Sequence, residues 1–159
     1  MDAELKRDPA LQVVLDRLEI QEVLLRYCRA CDRVDEGLLR SVFHPDATSE
    51  YVGLFSGTIQ EGVATMKKMR RRFLVTTHTV GNISIEVAGA SARSESYVQA
   101  LHRFTHEGAE YEWVAGGRYL DRHEKRDGVW KIAHRQTLID WGRVIRIEQT
   151  NPPASLLEV

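Results

Sequence analysis

From Leu11 to about Cys31, apolar side chains recur at spacings of mostly three and four, through Val14, Leu15, Leu18, Val23, Leu24 and Tyr27. That is the period of a helix that buries one face, and it predicts the longest helix of the chain. A short second helix is expected over about Glu36 to Phe43, with Asp35 as its N-cap. His44-Pro45-Asp46 should end it, because proline disfavours helical geometry in the residue before it. Thr48 to Leu54 suits a short strand that Gly57 breaks. Glu61 to Phe73 reads as a third helix, with acid early and Lys67, Lys68, Arg70, Arg71 and Arg72 late, as the helix dipole prefers.

From His78 onward the period changes to two. Ile83, Ile85 and Val87 alternate with Ser84 and Glu86, and turn residues follow at Gly89 to Ser91. Ala92 to Phe104 places Ser94, Ser96, Val98, Ala100 and His102 on one face, with Arg93, Glu95, Tyr97, Gln99 and Leu101 on the other. A face of small side chains leaves room for something against it. Tyr111 to Lys125 and Val129 to Trp141 flank Asp127-Gly128, a hairpin signal because Asp-Gly supplies the positive φ angles such turns need. Asn151-Pro-Pro-Ala is expected to end regular structure. Helices first and antiparallel strands afterwards indicate an α+β fold. If the sheet curls around the helices it forms a cone with one open end, the usual setting for a small-molecule site.

Composition narrows the partner. The 159 residues suit one domain spanning 1–159, and 43% hydrophobic with 28% charged residues is ordinary for a globular chain. A net charge of −1 gives no basic surplus for nucleic acid or an anionic membrane. The basic run of the third helix has no Gly-rich loop or aromatic platform beside it and reads as a solvated helix end. No apolar segment resembles a signal peptide or a bilayer span, which makes a cytoplasmic location the default expectation. Cys28 and Cys31 form a Cys-x-x-Cys pair near a helix C-terminus rather than the N-terminus a redox pair needs, and no second ligand pair suggests zinc. They read as packing residues.

Asp32 is the first candidate for chemistry. It falls at the end of the long helix, where unpaired carbonyls carry partial negative charge and disfavour a carboxylate, so it needs another reason to be there. His78 opens the first long strand. A His whose one ring nitrogen is held by a carboxylate is an oriented general base, so Asp32 and His78 are a candidate pair. An elimination also needs a group to receive charge as the leaving group departs, and Arg135 is the cationic candidate. Tyr27 and Tyr51 could donate hydrogen bonds to an oxygen. Tyr27 and Asp32 would stand roughly 140° apart on a continuing helix, so they converge only if the helix ends between them. His102 and His106 share a strand face, but no third metal ligand stands at obvious spacing, and no metal is expected. Tyr97 and Leu101 on the outer sheet face suggest a homo-dimer or homo-trimer packed sheet to sheet.

Four segments, Arg26-Tyr-Cys-Arg-Ala-Cys-Asp-Arg-Val-Asp35, Val42-Phe-His-Pro-Asp-Ala47, Thr76-Thr-His-Thr-Val-Gly-Asn82 and the run from Gly117 to Arg135, together resemble the SnoaL-like branch of the NTF2-like superfamily. The resemblance covers about Leu11 to Trp141 and implies a conical α+β barrel with a curved antiparallel sheet around N-terminal helices. Within that superfamily the chain looks most like the lyase group of hexachlorocyclohexane dehydrochlorinase, scytalone dehydratase and bile-acid 7α-dehydratase. By that resemblance Asp32 and His78 match the catalytic dyad, Arg135 the dehydrochlorinase's arginine, and Tyr27 the bile-acid enzyme's catalytic tyrosine. Tyr51 and His102 fall near substrate-binding positions of scytalone dehydratase. The dehydrochlorinase has lysine where this chain has Tyr27, which points toward an oxygen leaving group. The resemblance implies a lyase that needs no cofactor and acts on a hydrophobic cyclic molecule. The superfamily also holds isomerases, cyclases and non-catalytic binding or subunit-type proteins, which stand as alternatives.

Overall fold

The computed structural model describes residues 8–51 and 53–148. Helix α1 spans Pro9–Arg33, capped by Asp8, whose side chain accepts from the Ala10 N–H at 2.8 Å. Its buried face begins late, at Asp16 and Ile20, and continues through Val23, Leu24, Tyr27 and Cys28. Val14, Leu15 and Leu18, expected inside, are exposed, because they point away from the face on which Asp16, Ile20, Val23 and Tyr27 meet the sheet. The helix closes with Val34 in the left-handed region, φ 58° and ψ 33°, while the Asp35 N–H reaches back to the Ala30 carbonyl at 3.0 Å. Glycine normally takes that position, since a β-branched side chain there is strained.

Helix α2 is Glu36–Ser41, and the Asp35 carboxylate accepts from the Leu38 N–H at 2.8 Å as the N-cap. It stops short of the expected Phe43, which instead opens strand β1, Phe43–Tyr51. Sheet pairing captures the chain at that point: the Ile132 N–H donates to the Val42 carbonyl, and Phe43 pairs with Ile132. Pro45 sits where the register of β1 is irregular, so its missing N–H interrupts no ladder. Gly57, expected to break a strand, lies in β2, Phe55–Thr58, paired with Ser49. Helix α3 is Ile59–Arg70, begun by a capping box between Thr58 and Glu61 that places its start before the expected Glu61; it closes at the Arg71 C-cap, before the expected Phe73.

Strands β3 (Val75–Ala88), β4 (Ser91–His106), β5 (Ala109–Arg126) and β6 (Val129–Arg146) form a long meander. Asp127 and Gly128 turn the last hairpin with φ of 52° and 78°. Glu107-Gly108, which the sequence reading passed over, does the same for the hairpin before it, with 50° and 77°. The sheet order is β2-β1-β6-β5-β4-β3, so the sheet curves over the helices without closing. The antiparallel expectation holds except at one place: β1 runs parallel to β6. The expected end of regular structure at Asn151 lies outside the described residues.

Two apolar clusters hold the layers together. The larger joins Tyr27 and Val23 of α1 to Phe43, Val63, Tyr119 and Ile132. The smaller packs Ile20 on Ile85, Ala92 and Trp130. There Asp16 is buried but accepts from Trp130 Nε1 at 2.8 Å, Lys125 Nζ at 2.7 Å and Gln12 Nε2 at 3.1 Å. Burial alone would raise its carboxyl pKa; the three donors hold it below the ordinary range. His123, buried beside them in the sheet, meets Ser94 Oγ at 2.9 Å and is pushed down to about 4, mainly by burial.

Two outcomes are expected. Val34→Gly relieves the left-handed strain at an exposed position; after the added freedom of the unfolded chain is subtracted, stability should rise by about 0.5–1 kcal/mol. A higher urea midpoint for the variant is the measurement. For His123 the folded ring resists the proton that the unfolded ring takes up near 6.5, so the stability it carries is present above pH 6.5 and is lost as pH falls toward 4. Melting temperatures across that interval should drop for the wild type and drop less for His123→Gln.

Candidate active site

The helix-ending acid finds its explanation on the neighbouring strand. Asp32 Oδ1 lies 2.6 Å from His78 Nδ1, and Asp32 Oδ2 accepts from the His78 backbone N–H at 3.1 Å. One carboxylate thus receives two donors from β3, which offsets its unfavourable place at a helix C-terminus. With Nδ1–H given to Asp32, the imidazole carries its free lone pair on Nε2. Both side chains are largely withdrawn from solvent, and His78 lines a cavity of about 490 Å³.

That cavity lies between the three helices and the inner sheet face. One wall is aromatic: Phe73 lies over His102 at 4.6 Å, His102 stacks on Trp113 at 4.8 Å and 24°, and His78 meets His102 edge-on at 5.5 Å. His102 is pushed down to about 4, first by burial and then by the neighbouring His78, so it is neutral at physiological pH. Leu39, Val63, Met66 and Met69 supply aliphatic and thioether surface. Of the small-residue face of β4, Ala100 opens onto this space with Ala115 beside it; Ser94 and Ser96 are buried elsewhere in the sheet and do not line it.

Tyr27 and Tyr51 both line the cavity. Burial is the main reason that the Tyr27 hydroxyl is held well above its ordinary pKa and Tyr51 is pushed up to about 12, so both keep their protons as hydrogen-bond donors. Helix α1 continues past Asp32 instead of ending after Tyr27. Tyr27 projects inward while Asp32 reaches β3, and convergence comes from the sheet, which brings His78 to the same cavity. Arg135 departs from expectation. Its side chain is 1% exposed and absent from the cavity lining, and its Nε and Nη2 donate to Asp121 at 2.7 and 2.6 Å. Its guanidinium sits between the Tyr27 and Tyr119 rings at 4.0 and 4.1 Å. It packs against the Tyr27 ring and does not line the cavity.

Of the three tryptophans, Trp113 lines the cavity wall, Trp130 fills the smaller core, and Trp141 lies across Gly116 where any Cβ would collide with it. Cys28 and Cys31 are free thiols raised to about 11 and 12, chiefly by burial, and Cys31 contributes to the lining. Among the described residues, no group of three His, Cys, Asp or Glu side chains could hold a metal, and no helix is long and apolar enough to cross a membrane. The sequence reading missed Phe73, Trp113, Thr76 and Arg70. Arg70 had a signal: it stands seven residues after Val63 and four after Met66, on the apolar face of α3.

Comparison with known proteins places this architecture. The crystal structure of hexachlorocyclohexane dehydrochlorinase LinA-type3 from Novosphingobium barchaimii superposes with a TM-score of 0.79 at 21% identity, covering 91% of this chain and 99% of that one. A Novosphingobium aromaticivorans protein provisionally assigned as a scytalone dehydratase gives 0.74 at 26% identity, covering 87% and 93%. In sequence, the uncharacterized protein Rv2910c of Mycobacterium tuberculosis is 35% identical over 83 residues, a match that spans 51% of this chain and only 56% of that protein. Residues 12–136 match the SnoaL-like domain, and the chain belongs to this family of the NTF2-like superfamily.

Proposed function

We propose that the cavity is the active site of a cofactor-independent lyase that eliminates water from a hydrophobic cyclic substrate. The observation that carries this reading is the 2.6 Å link between Asp32 and His78, with His78 facing an apolar cavity. His78 Nε2 removes a proton from a carbon next to an activating group, and the electron pair of that C–H bond becomes the new double bond as the C–O bond breaks. Asp32 orients the imidazole and offsets the charge it gains. Tyr27 donates a hydrogen bond to the departing oxygen, and the proton held by His78 completes water. Tyr51 and His102 contact the substrate. Arg135 is a positioning residue that acts through the Tyr27 ring it supports.

The fold similarity to a dehydrochlorinase and to a protein assigned as a dehydratase supports this reading, as does the withdrawal of the pair from solvent. The same proposal includes a homo-oligomer, dimer or trimer. Tyr97, Ile139, Trp141, Val144 and Ile145 are all exposed on the sheet and offer apolar surface that a second copy would cover.

Hydroxylated cyclic ketones screened for new conjugated absorbance should reveal a substrate. With it, His78→Ala and Asp32→Asn are expected to lower kcat by about two decades or more with KM little changed. An active His78→Ala would remove the base, and tight binding without turnover would favour a binding protein. Arg135→Ala leaves Asp121 buried without its partner, so a stability loss of about 3–5 kcal/mol should accompany any loss of activity. Light scattering at micromolar concentration should give a multiple of the chain mass; a strict monomer would contradict the assembly.

A further inference from the structure

The cations at the end of α3 divide into two groups. Lys68, Arg71 and Arg72 are exposed and do not line the cavity, whereas Arg70 and the exposed Lys67 do. Lys67 is neutralised by Glu36 at 2.9 Å. Arg70 has no carboxylate partner among the described residues. Its Nη1 donates to the Phe73 carbonyl at 2.5 Å, and its Nε is buried without any partner.

Two other arginines show what that part of the guanidinium does in this protein. Nε and Nη2 of Arg135 close on the Asp121 carboxylate, and Nε and Nη2 of Arg118 close on Asp140 at 3.0 and 3.1 Å. The same planar fork of Arg70 is met by no side chain among the described residues. It belongs to a patch with further unpartnered polar atoms. Thr76, 7% exposed and part of the cavity lining, has a buried hydroxyl with no partner, and so does Nδ1 of His102, which Thr76 faces across the β3–β4 ladder. Phe73 connects the groups, since its carbonyl holds Arg70 and its ring lies on His102. Buried donors left unpaired are costly, and a fork of this geometry matches a planar, two-oxygen anion.

We propose that Arg70, with Thr76 and His102 beside it, binds a carboxylate carried by the substrate, whose ring lies along the Phe73–His102–Trp113 wall. The substrate class is then a hydroxylated cyclic ketone or related ring compound that also carries a carboxylate. A phosphate would call for a second available cation, and Lys67 is already engaged. The inference rests on the cavity being the small-molecule site proposed above, but not on the elimination.

A binding experiment separates the two. The probes are 2-naphthoate and methyl 2-naphthoate, titrated by calorimetry into the wild type, Arg70→Met and Lys67→Met near neutral pH. The wild type and Lys67→Met should bind the acid about tenfold or more tightly than the ester. Arg70→Met should lose that preference while its affinity for the ester, which reports an intact cavity, stays the same. Should Arg70→Met lose the ester as well, Arg70→Gln, which retains an N–H for the Phe73 carbonyl, decides by the same comparison. Equal affinities in the wild type, a preference that survives in the Arg70 variant, or no binding of the acid at millimolar concentration would each overturn the proposal. None of these readouts requires turnover, so an inactive dyad and an absent carboxylate site give different results.

Discussion

The interior is organised around one buried ion pair. Arg135 and Asp121 are drawn from adjacent strands, both are almost wholly out of water, and their two short hydrogen bonds use both carboxylate oxygens. Removing two charges from water is expensive, and geometry this good with aromatic faces on either side of the guanidinium is what makes it tolerable. Those faces belong to Tyr27 of α1 and Tyr119 of β5, with Phe43 of β1 nearby. The pair therefore fixes the position of the long helix over the sheet. Because Tyr27 is also cavity lining, the same interaction sets one surface of the site.

At the end of that helix two local rules are broken two residues apart. Asp32 sits where the helix carbonyls repel it, and Val34 takes a backbone conformation suited to glycine. Each is unfavourable on its own terms, and both are sustained by contacts beyond the helix: the His78 imidazole and backbone N–H for Asp32, and the Asp35 cap of α2 immediately after Val34. Local conflict of this kind is expected where a site constrains the chain. Here it coincides with the residues that link the helix to the strand carrying His78.

What the sequence by itself determined is local. The three- and four-residue spacing of α1, the period-two strands after His78, the Asp35 cap and the Asp127-Gly128 turn follow from the conformational preferences of neighbouring residues, and all appear near the expected places. The α+β character followed from their order. Asp32 and His78 stood out because one violated helix electrostatics and a family pattern suggested the other.

What only the tertiary structure decided is where long-range pairing overrides local period. Strict alternation from the buried Trp130 and Ile132 would turn His134 inward and Arg135 outward. A bulge at Ala133 shifts the register, so that Arg135 points in and faces Asp121, where counting from the turn would have set Leu120 opposite it. The parallel pairing of β1 with β6 was equally invisible, since it joins segments far apart in sequence. So was the fate of the five similar cations at the end of α3 and just beyond it, of which Lys67 and Arg70 line the cavity and the rest do not. A bulge, a distant strand partner and the side of a helix that meets a void depend on how the whole chain packs, and one short stretch of residues does not encode them.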